Sequence, residues 1–249
     1  MSGVKRPYHR TVRAFANGTY TGGDQSYVLH PMFAQDSDMY ARGFLLLQKD
    51  LGELFEYIEP SDQNGQCYSF RIHELLLRAC VEVEANCKAI LKENGYKKRG
   101  NWTMNDYKKI NVSHHLSSFD VQLPVWHGSK NIRKPFEMWR SDARLPWYQA
   151  YNETKHDRHT GFAKATLDHL IDAVCGVLTM LCAQFATAQY DYLMTVGFPP
   201  DGGFQVVIGR CFTVRFPDDW PEEERYDFST GEWHQMKDED DPFQNFRYT

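Results

Sequence analysis

A long apolar segment in the second half of the chain constrains the fold more than any other feature. From about Ala165 to Tyr192, aliphatic residues recur at helical spacing and cover more than half of the helix circumference. The most apolar part, residues 173–188, includes Gln184 and is shorter than the roughly 20 residues that a bilayer span needs. The pattern therefore predicts a buried helix at the centre of a bundle, and no membrane contact.

Two earlier segments show the same helical periodicity. The first runs from about Asp38 to Tyr57 and the second from about Ser69 to Asn94. Ser37 or Asp38 can cap the first helix, and Gly95 is suited to end the second. With the apolar helix and a shorter one that begins at Pro146, these segments predict a bundle of four or five helices.

Strand-like patterns lie in two places. Residues 112–140 contain alternating apolar and polar side chains around Val121, which predicts a β-hairpin inserted between helices. Residues 204–216 predict a strand pair with a turn at Gly209, and residues 226–236 predict a second hairpin. The fold class is thus mainly α, with a basic, turn-rich arm (1–36), a bundle (37–197) and a β-containing acidic extension (198–249).

Charge is distributed unevenly along the chain. Residues 217–249 carry eleven acidic and three basic side chains, so they hold a net charge of −8, whereas the rest of the chain holds +3. This asymmetry predicts a loose acidic end that covers a basic body and competes with nucleic acid. The arm, with Arg10 and Arg13, is expected to be a flexible solvated end or a phosphate contact.

Targeting signals and cysteine usage point to the cytoplasm. The first fifteen residues are basic but lack the apolar core of a secretory signal. The six cysteines form no CxxC pair, and they are expected to be buried, reduced thiols rather than disulfides or metal ligands.

The candidate site lies between the Pro146 helix and the apolar helix. Asn152 and His156 are four residues apart, so they share one face of a helix, and Lys155 lies on the same side. Arg158 and His159 follow, at the point where Thr160 and Gly161 bend the chain. Histidine can transfer protons near neutral pH, asparagine can orient it, and lysine and arginine can stabilise a phosphate that gains charge. These are the groups that metal-independent RNA cleavage needs.

The sequence YNETKHDR, between a long helix and a long apolar helix, resembles the HEPN superfamily over about residues 38–192. The resemblance implies a bundle of four or five helices, a homodimer whose paired motifs meet at a cleft, and endoribonuclease activity in defence or toxin systems. It implies His156 as the acid and base and Asn152 as its orienter. The family places an arginine where this chain has Tyr151, so Arg158 is the candidate catalytic cation. Lys155, His159 and Tyr151 are candidate substrate-binding residues.

Other interpretations of the same cluster remain open. It can be a capped, salt-bridged junction in a non-catalytic scaffold, in which Lys155 pairs with Glu153 or Asp157, or a non-catalytic site for RNA or a nucleotide. Glu82 and Glu84 of the second helix are candidate partners for Lys155 and Arg158.

A second region that suits nucleic acid is the segment GYKKRGNWTMNDYKK, which mixes basic and aromatic residues. It suits stacking on single-stranded nucleic acid, although an ordinary surface loop is the favoured interpretation. Thr103 and Asp106 have the spacing of a capping box, which predicts a short helix there.

Neither a metal nor a cofactor is predicted. His114, His115 and His127 lack a cysteine or carboxylate at zinc-ligand spacing. The chain contains no P-loop, GxSxG or HExxH motif, and no GxGxxG after a strand.

Overall fold

Helices form most of the regular structure. The computed structural model describes residues 3–20, 23–156, 158–186, 203–209 and 211–248, with the backbone alone for residues 156, 158 and 206. The helices in this part of the chain are α1 (Ser37–Phe55), α2 (Phe70–Glu93), α3 (Met104–Tyr107), α4 (Ile110–His114), α5 (Pro146–His156), α6 (Arg158–Gly161), α7 (Leu167–Phe185) and α8 (Thr230–Met236).

The apolar segment forms α7, and the prediction of a core helix is confirmed. Every residue of α7 except His169 and Asp172 is buried. Among the described residues, α7 is the one helix that is long and apolar enough to cross a membrane, but the protein itself covers it. Thr166 begins the helix by accepting a hydrogen bond from the backbone N–H of His169. The predicted continuation to Tyr192 falls mostly on residues 187–192, which lie outside the described residues.

The other long helices surround α7. Helix α2 makes the most extensive contact with it, α1 packs against both, and α5 lies against α7 and α2. The predicted bounds of α1 and α2 are confirmed to within two residues. Ser69 begins α2 by accepting a hydrogen bond of 3.2 Å from the backbone N–H of Ile72, and the predicted capping box at Thr103 and Asp106 begins α3.

The predicted burial of the thiols is confirmed for the cysteines of the long helices. Cys80 and Cys87 on α2 and two further cysteines on α7 are buried and free. The prediction is wrong for Cys67 and Cys211, which are free but exposed. Both lie outside the helices, where no helical face turns them toward the core.

The two strand-forming regions join in one small antiparallel sheet. The predicted insert supplies β1 (Asp120–Gln122) and β2 (Ile132–Arg133), and the later segment supplies β3 (Gln205–Val206) and β4 (Thr213–Arg215). The strand order is β2-β1-β4-β3, and Val121 lies between Arg133 and Val214. Contacts therefore cross the boundary predicted between the bundle and the extension.

The acidic C-terminal segment is packed, and two predictions for it are wrong. Residues 230–236 form α8, because Ser229 and Glu232 make a capping box that starts a helix rather than a hairpin. The segment is also not loose. Its aromatic side chains are buried against the body, which gives them an apolar environment despite the surrounding acids: Tyr226, Phe228, Trp233 and Phe243.

The basic N-terminal arm is not a flexible end. Arg10 is 1% exposed, and its guanidinium lies 2.9 Å from the Gln184 side-chain oxygen and 2.8 Å from the Glu93 carboxylate. Arg13 is 2% exposed and donates hydrogen bonds of 3.0 Å to the carbonyls of Ser113 and Glu224. Buried guanidinium groups need such partners, so the arm is fixed between the helices and the C-terminal segment.

The acids of the C-terminal segment pair partly with this arm. Lys5 lies 2.7 Å from Asp227, and Arg6 lies 2.7 Å from Glu239. Removal of residues 217–249 would therefore take away core side chains as well as charge, and it would not isolate an electrostatic effect on RNA binding.

His114, the last residue of α4, connects this helix with the arm. It is fully buried, its Nε2 donates a hydrogen bond of 2.9 Å to the Arg10 carbonyl, and its Nδ1 lies 2.7 Å from the Ser113 hydroxyl. Burial lowers the pKa of the imidazole to about 3 from its usual value near 6.5.

This pKa predicts a loss of stability in acid. Between pH 6.5 and pH 3 the unfolded chain binds a proton at His114 that the folded chain does not, so the free energy of unfolding falls as pH falls. From pH 7 to pH 4.5 the part due to His114 should be roughly 2–3 kcal/mol. Urea unfolding across this range should show a shallower pH dependence for His114→Gln, whereas the exposed control His127→Gln should behave like the parent. Equal slopes for parent and His114→Gln would contradict the prediction.

Candidate functional site

Helix α5 carries the predicted cluster, and its backbone is continuous from Pro146 to His156. As predicted, Pro146 occupies the first turn, where its missing N–H costs nothing. The solvent side of the helix contains Gln149, Asn152 and Glu153, which are half-buried or exposed. Helical periodicity places position 156 on the same stripe, one turn beyond Asn152. The backbone thus brings the predicted asparagine and histidine positions to one face.

The opposite side of α5 is buried and holds Lys155 in place. Tyr151 is 2% exposed, and its hydroxyl accepts a hydrogen bond of 3.0 Å from the Lys155 ammonium. The Lys155 side chain lies at the surface above the Tyr151 ring. The hydrogen bond to Tyr151 raises the pKa of Lys155, so this group is a cation at neutral pH. At position 151, where the HEPN resemblance would place an arginine, this chain therefore has a buried phenol that orients a lysine.

Glu84 of α2 belongs to the same network, but it does not form the predicted salt bridge with Lys155. Its carboxylate accepts hydrogen bonds of 2.9 Å from the Tyr148 hydroxyl and 3.3 Å from Lys88. Burial, and then the hydrogen bond with Glu84, raise the pKa of Tyr148, which stays a neutral donor. Glu84 still adds to the rise in the pKa of Lys155 through its charge.

Glu82 is directed elsewhere. An added Cβ at Gly43 of α1 would lie 3.1 Å from the Glu82 carboxylate, so this side chain faces α1. Burial raises its pKa. Glu82 is therefore not a partner for the α5 cluster.

The chain turns sharply between α5 and a short 3₁₀ helix at residues 162–164. This span contains Thr160 and Gly161, where a bend is predicted. An added Cβ at Gly161 would lie 2.9 Å from the Glu153 carbonyl oxygen, so α6 folds back onto the last turns of α5. Lys164 forms an ion pair with Glu153 across this turn. Glu153 is thus paired with Lys164, whereas the junction interpretation expected it to pair with Lys155.

The remaining predicted residues are placed only in part. Arg158 is the first residue of α6, immediately beyond the last turn of α5, and His159 follows it with an exposed side chain. The side chains of His156 and Arg158, and all of Asp157, lie outside the described residues. The structure therefore brings Asn152, Lys155 and Tyr151 together on one turn of helix, and it shows the backbone positions of the predicted histidine and arginine.

A second polar cluster, which no sequence pattern predicts, lines a cleft of about 720 Å³ between the sheet and α7. Arg133 of β2 donates hydrogen bonds of 3.0 Å to Asp168 and 3.1 Å to Asp172, and Lys130 lies 2.7 Å from Asp168. Burial raises the pKa of Asp172. Burial also opposes ionisation of Asp168, but the hydrogen bond from Lys130 and the charge of Arg133 lower its pKa overall.

This cluster fastens the sheet to the core helix. The two carboxylates are matched by two cations, and the guanidinium lies 4.5 Å from the centre of the Trp126 ring. Its two cations lie more than thirty positions before its two acids in the sequence, so local spacing could not reveal that they pair.

The histidines considered for zinc do not meet. His114 is buried against Arg10, His115 stacks on Trp220 with ring centres 3.9 Å apart, and His127 lies 3.2 Å from Glu59. Across the described ranges, no group of three or more histidine, cysteine, aspartate or glutamate side chains is placed to hold a metal ion.

Comparison with protein-family models, with curated proteins and with solved structures finds no match for this chain.

Gly161→Ala should destabilise the protein by about 1–3 kcal/mol, because its Cβ would press on backbone that cannot move aside. A matched control is Gly52→Ala in α1, where a Cβ would meet nothing within 4 Å. This control should stabilise the protein by up to about 1 kcal/mol, because alanine favours helix. Chemical unfolding of both variants measures the difference. Equal stability of Gly161→Ala and the parent would show that α6 does not fold back as described.

Arg133→Met should cost about 3–5 kcal/mol, because it leaves the buried Asp168 and the half-buried Asp172 without their main counter-charge. Lys134→Met is the control. Its ammonium is about half exposed and lies 3.7–3.8 Å from two carboxylates, so a cost below about 1 kcal/mol is expected. Adding Asp168→Asn to Arg133→Met should recover part of the loss in urea unfolding. A cost for Arg133→Met no larger than that of Lys134→Met would contradict the role of the cluster.

Proposed function

We propose that this chain is a metal-independent endoribonuclease that resembles HEPN proteins, with its site on the exposed face of α5 and at the start of α6. The observation that carries the proposal is the continuous helix from Pro146 to His156, which sets positions 152 and 156 one turn apart on the solvent side. The fixed ammonium of Lys155 beside them supports phosphate binding.

In this proposal His156 removes the proton from a ribose 2′-hydroxyl, whose oxygen then attacks the adjacent phosphorus. The bond from phosphorus to the 5′ oxygen breaks, that oxygen takes up a proton, and a 2′,3′-cyclic phosphate remains. Asn152 orients the imidazole. Lys155 and Arg158 stabilise the charge that builds on the phosphate, and His159 contacts the substrate beyond them.

Tyr151 has a supporting role in this scheme. It stands where the family has arginine, but its hydroxyl positions the Lys155 ammonium one turn further along α5. A cation is therefore retained at the site, displaced by about 6 Å along the helix at 1.5 Å per residue. Tyr151 affects a substrate through Lys155 rather than by direct contact, because its side chain is buried.

The proposal extends to the cellular setting. A cytoplasmic RNA substrate fits a chain whose helix cysteines are free thiols. The family resemblance adds a homodimer in which two α5 faces form one cleft, and a role in defence or toxin systems.

The second candidate is a non-catalytic binding or scaffold module. The packing around the site favours it: Tyr148 donates a hydrogen bond to Glu84 of α2, and its ring packs at a tilt against the ring of Tyr151. In that case the residues from Asn152 to Arg158 serve as a junction between helices, and their loss reduces stability without loss of activity.

The test is cleavage of a mixed, end-labelled RNA pool in EDTA by the full chain, by His156→Ala and by the control His127→Ala. We expect the parent and His127→Ala to leave cyclic phosphate ends, and His156→Ala to be at least 100-fold slower at an unchanged melting temperature. Lys155→Met should reduce the rate about 10–100-fold, with Lys155→Arg retaining more activity. Absence of cleavage by the parent would reject the ribonuclease. A sharp fall in the melting temperature of His156→Ala would instead favour the scaffold.

A further inference from the structure

A shallow pocket of about 540 Å³ lies beyond the C-terminal end of α2, away from the α5 face. The chain leaves α2 through Gly95, whose backbone is left-handed with φ of 74°, and then forms the wall of the pocket before α3 begins. Five residues line it, and all of them carry a cation or an aromatic ring: Tyr96, Lys97, Lys98, Arg99 and Trp102.

The two aromatic rings of the pocket are fixed in position. Tyr96 and Trp102 are half-buried, and their ring centres lie 5.5 Å apart at an angle of 72°. The Tyr96 hydroxyl donates a hydrogen bond of 2.8 Å to Asp106, and Tyr248 packs edge-on against its ring. Rings held in this way lose little entropy when a ligand stacks on them.

Asp106, which contacts Tyr96 and Lys98 of the pocket, is directed inward. Asp106 is 3% exposed and accepts hydrogen bonds from the Lys98 ammonium and from the Thr103 backbone and hydroxyl groups. Burial opposes its ionisation, but these hydrogen bonds lower its pKa, so it stays a carboxylate. The negative charge of the buried Asp106 carboxylate therefore offsets the positive charge of the Lys98 ammonium.

Lys97 and Arg99 give the pocket an exposed positive charge. Both side chains are exposed, and the Lys109 ammonium lies 5.4 Å from the centre of the Tyr96 ring. Cations around partly open aromatic rings are the combination that binds single-stranded nucleic acid, in which phosphates meet the cations and bases stack on the rings.

We propose that this pocket binds a segment of single-stranded nucleic acid, with one base stacked on Trp102 and the flanking phosphates at Lys97 and Arg99. The contacts involve base faces and phosphates, so binding should tolerate many sequences and both RNA and DNA. The pocket goes beyond the proposed cleavage reaction, because it needs neither His156 nor a ribose 2′-hydroxyl.

Helix α2 connects the pocket with the α5 face. Glu84, the α2 residue that contacts Tyr148, is nine residues before Glu93, the last residue of α2, which corresponds to about 14 Å at the α-helical rise of 1.5 Å per residue. The pocket begins beyond that end, at Tyr96. In this scheme the pocket contributes affinity, and the α5 face contributes chemistry.

The test measures fluorescence anisotropy of a labelled oligo-dT with the full chain over a series of salt concentrations. Because DNA lacks the 2′-hydroxyl, binding is read without cleavage. Trp102→Ala should weaken binding about tenfold or more, whereas Trp102→Phe should retain most of it. The double variant Lys97→Ala/Arg99→Ala should reduce the slope of log affinity against log salt by about 1.4. Oligo-U in EDTA with the same variants shows whether RNA uses the same residues.

Matched controls come from α1 and its C-terminal end. Tyr57→Ala removes a ring that is 85% exposed, and Lys49→Ala removes a cation whose side chain is 73% exposed. Both should bind like the parent. Because oligo-dT has no 2′-hydroxyl, its binding is measured whether or not the chain cleaves RNA, which separates this proposal from the ribonuclease. Parent-like affinity of Trp102→Ala, or an unchanged salt slope in the double variant, would overturn the proposal. If Trp102→Ala unfolds, Trp102→Phe and the exposed double variant still decide the outcome.

Discussion

The burial of α7 is the constraint on which the rest of the structure depends. A helix that is apolar around most of its circumference must be covered on every side, since each exposed apolar side chain would lose about 1.5–3 kcal/mol of transfer free energy. Helix α2 covers one side along its length, and α1 and α5 cover others. On the remaining side, the ion pairs of Arg133 with Asp168 and Asp172 attach the sheet to α7.

The N-terminal arm and the C-terminal segment also pack against the core, and polar side chains hold them there. Gln184, buried near the end of α7, accepts a hydrogen bond from Arg10 and donates one of 2.8 Å to Asn86 of α2. Because each of these groups would be costly to bury alone, they fix the N-terminal arm against two helices at once. Arg13 then links the arm to the C-terminal segment through the Glu224 carbonyl. Burial at both ends explains why neither behaves as a loose charged tail.

The candidate site follows from how α5 meets this core. One side of α5 is occupied by Tyr148 and Tyr151 in contact with α2, so the other side must face solvent. The Gly161 turn stops α6 from extending away, and it keeps Arg158 close to the end of α5. The proposed chemistry at α5 and the proposed strand-binding pocket at Trp102 are thus connected through the same helix, α2.

The sequence by itself determined the helices α1, α2, α5 and α7, the α3 capping box and the stripe that carries Asn152 and His156, because these depend on periodicities within a few residues. It also placed the strand pairs, although the order β2-β1-β4-β3 joins segments about ninety residues apart and was decided by packing. Only the tertiary structure decided that Glu84 contacts Tyr148 and that Tyr151 orients Lys155. Charge patterns could not predict the burial of the chain ends, because burial depends on partners that are distant in the sequence.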